Sequence, residues 1–118
     1  MTETISLELA KEIAEKYFAL GMEAPESEYR FIRGNDGNGG PGEFTLQLLY
    51  LACAECYPAY TVAEIFDALP VGTEVIKLKG GYVVNSGKYY LEENEILCEA
   101  LGLMLCRVLD EKIKQKGV

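Results

Sequence analysis

Residues 6–20 carry apolar side chains at Leu9, Ile13, Ala14, Tyr17 and Phe18, a spacing that winds one face onto a helix. Glu12 and Lys16 add an i,i+4 pair on the wet side. Ser6 or Thr4 can cap the start, and Gly21 supplies a left-handed stop. Met22 then stands where such a stop wants an apolar contact back to Tyr17. Glu28–Arg33 reads as a short strand with Tyr29 and Phe31 on one face, although Ile32 breaks strict alternation. Gly34–Gly42 holds five glycines in nine residues and is expected to be irregular. From Glu43 to about Tyr57, Phe44, Leu48, Leu51 and Ala52 share a face widened by Leu49 and Cys53, which predicts a buried helix ended by Pro58.

Thr61-Val62-Ala63-Glu64 has the form of a capping box, and Tyr60 and Ile65 occupy the positions of its hydrophobic staple. The short helix that follows must stop before Pro70. In Glu74–Lys79, Val75 alternates against Ile76 and Leu78. Gly80-Gly81 can take the positive φ angles of a tight turn, and Tyr82–Asn85 returns. Ser86-Gly87 marks a second turn before Lys88–Leu91, so a three-stranded antiparallel meander is predicted. A last helix is expected from about Glu93 to Gln115. Glu92, Glu93 and Glu95 stand at its start and Lys112, Lys114 and Lys116 at its end, signs that suit the helix dipole. Ile96, Leu97, Ala100, Leu101, Met104, Leu105 and Val108 give it an apolar arc too wide for one neighbour, so it needs a sheet plus a helix, or another subunit.

Strands clustered in sequence among segregated helices define the α+β class. The expected fold is one domain over residues 1–118. A three-stranded antiparallel meander, with Glu28–Arg33 as a fourth short strand, packs against the N- and C-terminal helices, and two further helices lie in the middle. A chain of 118 residues can bury a core of its own without disulfides or metal.

Charge narrows the partners. Nineteen acids against eleven bases leave a net charge of −8, which repels nucleic-acid phosphates and anionic membranes and suits a basic partner; a protein partner or a homodimer is expected. The opening Met1-Thr2-Glu3-Thr4 has no basic or apolar signal region, so a cytoplasmic location with reduced thiols is expected.

The chain contains no histidine, which removes Ser-His-Asp and Cys-His catalysis and His-ligated metals. Cys53-Ala54-Glu55-Cys56 has Cys-x-x-Cys spacing, but at a helix C-terminus the dipole would oppose a thiolate. Cys98 and Cys106 are separated by roughly 12 Å of helical rise, too far to complete a four-thiolate zinc site with that pair. Core packing is the expected role of the cysteines. No catalytic residue, metal or cofactor is assigned.

Two places remain as candidate sites. In the glycine-rich loop, Gly37, Gly39 and Gly42 match Gly-x-Gly-x-x-Gly, yet the parallel strand of a dinucleotide fold does not follow, and no Lys supplies a Walker loop. Asp36 and Asn38 offer hard oxygen ligands, but the calcium-loop pattern then fails at Gly40, Pro41 and Gln47. Asp36, Gly37, Asn38 and Gly39 are the ligand-binding candidates. Tyr82, Tyr89 and Tyr90 are the candidate interaction surface, since adjacent strand residues point to opposite faces and tyrosine suits interfaces. The reading that best unites these features is a non-catalytic accessory protein acting through protein contacts or homodimerisation, a profile that small phage or mobile-element proteins share. The alternatives are a small-ligand or metal binder using residues 34–42, and an enzyme using carboxylates such as Asp36 and Glu43.

Overall fold

The computed structural model describes residues 3–35, 41–48, 56–87 and 92–116. The first helix, α1 (Leu7–Ala19), begins where Ser6 Oγ accepts from the Leu9 amide. It ends in a complete Schellman motif: Gly21 at φ +68° donates to Phe18, and Met22 donates to Tyr17. Leu9, Ala10, Ile13 and Tyr17 form its buried stripe, whereas Phe18, assigned to that stripe by spacing, is 87% exposed.

Three strands follow where one strand and a helix were expected. β1 (Tyr29–Asn35) pairs antiparallel with β2 (Pro41–Leu48), placing Phe31 opposite Leu46 and Arg33 opposite Phe44. β3 (Cys56–Pro58) pairs with the other side of β1, putting Tyr57 opposite Phe31. The helix predicted over Glu43–Tyr57 is therefore corrected to strand at both of its described ends; residues 49–55 lie outside the described residues. Glu43-Phe44-Thr45-Leu46-Gln47-Leu48 alternates polar and apolar, and pairing with β1 rewards that period of two over the i,i+4 spacing. The expected irregular span is shorter at both ends, because Gly34 and Asn35 belong to β1 and Pro41 and Gly42 to β2.

The capping box at Thr61 forms as its sequence predicts, with Thr61 Oγ1 accepting from Glu64 and Glu64 Oε1 accepting from the Thr61 amide. It opens α2 (Val62–Ala68). The second sheet has the order β4 (Glu74–Leu78), β5 (Gly81–Asn85), β6 (Glu92–Asn94), all antiparallel. Its third strand was expected at Lys88–Leu91, which lies outside the described residues. Glu92 and Glu93, expected at a helix start, are instead part of the sheet. Accordingly α3 (Leu97–Lys116) begins later than its apolar pattern suggests, and Ile96 precedes it half exposed.

Nine residues of α3 are buried, and it packs on α1, α2, β5 and β6. The wide arc is thus used up inside one chain. Gly102 lets α1 approach, since a Cβ there would collide with Leu9 and come within 3.2 Å of Ile5. The starts of α1 and α3 exchange carboxylates: Glu3 accepts from the Cys98 amide and Glu99 from the Ser6 amide. Farther along, Lys16 meets Asp110 at 2.6 Å. Burial works against the Lys16 ammonium, but the hydrogen bond and charge of Asp110 outweigh it and raise its pKa.

Among the described residues the fold is α+β, with three helices and two three-stranded antiparallel sheets rather than four helices and one meander. The molecule is flat, 49 × 40 × 20 Å, and its radius of gyration of 15.3 Å exceeds the roughly 13.5 Å expected for its length. A slab that thin is two layers deep, so each sheet can be covered by helices on one face only. Among the described residues, no helix is long and apolar enough to cross a membrane.

Candidate functional site

Among the described residues no helix covers the outer face of the second sheet, which β4 and β5 build. Alternation sends Val75 and its register partner Val84 toward α3, where Val84 is fully buried. The same alternation sends Ile76 and Leu78 outward, to 47% and 43% exposure. Ile76 lies opposite Val83, which is flanked on its other side by Glu93. Outward-facing residues at the ends of the stripe are Glu74 and its partner Asn85. The result is an apolar stripe of Ile76, Val83 and Leu78 with acidic residues at its rim.

The hairpin tip is shaped by close approach rather than by left-handed turn residues. Neither Gly80 nor Gly81 has a positive φ, contrary to the expectation from their sequence. Gly81 is needed for another reason: a Cβ there would stand 2.7 Å from the Asn94 carbonyl oxygen, where β6 crosses over it. Behind the tip lies an open cleft of about 300 Å³ lined by Lys77, Leu78, Lys79, Gly80, Gly81, Tyr82 and Glu95. Lys77 and Tyr82 are register partners, on the inner side of the hairpin beyond the reach of the core. Among the described residues, no ion pair holds Lys77 or Lys79, and the outer edge of β4 has no partner strand.

Of the residues proposed from sequence, Tyr82 is placed half-buried in this cleft. Tyr89, Tyr90 and the ligand-binding candidates Asp36, Gly37, Asn38 and Gly39 lie outside the described residues. Ile76, Leu78, Lys77 and Lys79 were not singled out. Their signal was present, because a strand with apolar residues on both faces cannot hide both in a two-layer fold.

Cys56 sits on a strand, not at a helix C-terminus, and its sulfur accepts from Arg30 Nη1 at 3.3 Å. Cys53 lies outside the described residues. Cys98 and Cys106 are core residues on α3, and burial, reinforced by nearby carboxylates, pushes both thiols up to about 12. They are protonated at neutral pH and unsuited to nucleophilic or metal chemistry. Among the described residues, no three His, Cys, Asp or Glu side chains converge as a metal site.

The first sheet holds a polar cluster that spacing did not reveal. Lys11 of α1 lies 4.9 Å from the Phe44 ring and 5.8 Å from Tyr57, and Arg33 lies 4.7 Å from Phe44. Near the start of β1, Glu64 accepts from the Thr61 amide, the Ser27 hydroxyl and the Glu28 amide. Burial opposes its ionisation, but these hydrogen bonds outweigh burial and lower its pKa. Both clusters tie helices to the first sheet.

No family model, curated protein or solved structure matches this chain.

Proposed function

We propose that this chain is a non-catalytic accessory protein that engages a protein partner through the outer face of its second sheet. The observation that carries this reading is the stripe of Ile76, Leu78 and Val83, with two large aliphatic side chains more than two-fifths exposed on one face. With less than half of each side chain still exposed, covering it recovers about 1 kcal/mol per residue. A partner laid across the face recovers that term, and the acidic rim sets its orientation. The apolar arc of α3 no longer argues for a second subunit, since α1, α2, β5 and β6 cover it within one chain. The bare sheet face takes its place as the reason to expect association.

Capture of binding proteins should therefore depend on this face alone. The full chain is compared with a double variant, Ile76→Thr plus Leu78→Thr, and with Val71→Thr, which alters a fully exposed valine elsewhere. A partner or second copy retained by the parent and by Val71→Thr, but lost from the double variant, supports the reading. The same proteins retained by all three would remove it.

A further inference from the structure

The geometry points to the free edge of β4 as the docking site for an extended acidic segment of a partner protein, which adds beside it as a fourth strand. The partner is the one engaged by the outer face, so this assignment rests on the interaction reading above. Three features of β4 converge on it. Its outer edge is unpaired among the described residues, and it packs chiefly on β5, leaving a row of backbone donors and acceptors open. Its outward side chains Ile76 and Leu78 form half of a stripe that an added strand would extend.

The third feature is charge. Residues 75–82 carry Lys77 and Lys79 and no acid, in a chain whose net charge is −8. Lysines on an exposed edge ordinarily repel a like strand. The same lysines accept a strand that brings carboxylates to the Lys77 side and apolar residues to the Ile76 side. The recognised segment is thus one in which acidic and aliphatic residues alternate, its backbone bonded to β4 and its acids beside Lys77 and Lys79.

A second copy of β4 does not meet those demands. Side chains paired across an antiparallel twofold must share a face, so symmetric pairing of two β4 strands centres on Val75, Ile76 or Lys77. Centring on Lys77 sets ammonium against ammonium. Centring on Ile76 sets Lys77 opposite Val75, and centring on Val75 sets it opposite Thr73. None of these gives Lys77 an acid.

The experiment titrates the full chain with a short fluorescent peptide of alternating valine and glutamate, and with the same peptide carrying lysine for glutamate. Amide shifts map where each one binds. The acidic peptide should bind with shifts centred on residues 74–79, weaken with added salt, and lose affinity on the order of ten-fold in Lys77→Glu or Lys79→Glu. Both lysines are exposed, and unchanged thermal midpoints show that the variants are folded. The lysine peptide should not bind. Equal affinity for both peptides, indifference to Lys77→Glu, or shifts centred on Lys11 and Arg33 would overturn the assignment. So would a ladder of masses from the chain alone, which would give the edge to β6 of another copy. A captured protein that needs Ile76 and Leu78 but ignores Lys77 ends the acidic-strand assignment and leaves the interaction reading standing. One indifferent to all three residues ends the interaction reading itself.

Discussion

The two sheets have equal numbers of strands and the same antiparallel pairing, yet different forces anchor them. The second is held through apolar contact: Val84 lies fully buried beneath α3, a helix with nine buried residues. The first meets α1 through β3, with Phe31 and Tyr57 packed half-buried against the same core, and cations on aromatic rings and hydrogen bonds to Glu64 add polar links. Contacts of the second kind are worth about 0.5–1 kcal/mol each and respond to pH and salt, whereas burial of a large side chain is worth more and responds to neither. The first sheet should therefore open before the second in native-state hydrogen exchange.

The strongest way to break that contrast is to damage the core both sheets depend on. Leu101→Ala, at a fully buried site on α3, should cost about 2–5 kcal/mol in denaturant unfolding and lower protection in both sheets together. Gly102→Ala should come next. The helix gains about 1 kcal/mol of propensity, but crowding against Leu9 and Ile5 costs about 1–3 kcal/mol, so the net expectation is a loss of up to about 2 kcal/mol. A stabilised variant would show that α1 and α3 can part without loss.

Glu64→Ala should sharpen the contrast by acting on the first sheet alone. Loss of the cap and of the bonds to Ser27 and Glu28 should cost about 1–2 kcal/mol, with exchange rising in β1 and not in β5. Because the folded pKa of Glu64 lies below its ordinary 4.5, its contribution is complete above that value and is lost as pH falls through the folded pKa. The gap between parent and variant should therefore close in acid. Smallest of all, Lys11→Met should cost about 0.5–1 kcal/mol, felt at β2 and β3 and reduced by salt. Equal loosening of both sheets by this variant would mean that they unfold as one unit.

Where local chemistry suffices, the sequence reads correctly. The stop at Gly21, the cap at Ser6 and the box at Thr61 and Glu64 each depend on a few neighbouring residues, and each forms as read. The hairpin strands β4 and β5 are equally local. Reading fails at Phe44 and Leu46, whose strand identity depends on β1 lying across from them, and at Glu92 and Glu93, which pair with β5 instead of opening α3. The candidate site was legible only in part: Tyr82 was named for its type, while Ile76 and Leu78 carried their message in a pattern apolar on both faces.

Residue order was enough for the α+β class, the ends of α1, the start of α2 and the acidic charge, because caps, turns and charge act over a few residues. Which face of each sheet stays bare was decided by packing. Val75 and Ile76 are neighbours of nearly equal hydrophobicity, yet Val75 packs partly buried against the core while Ile76 is 47% exposed, because α3 lies on one side of β5 and not the other. Burial is a property of the whole assembly of layers, and no local rule contains it.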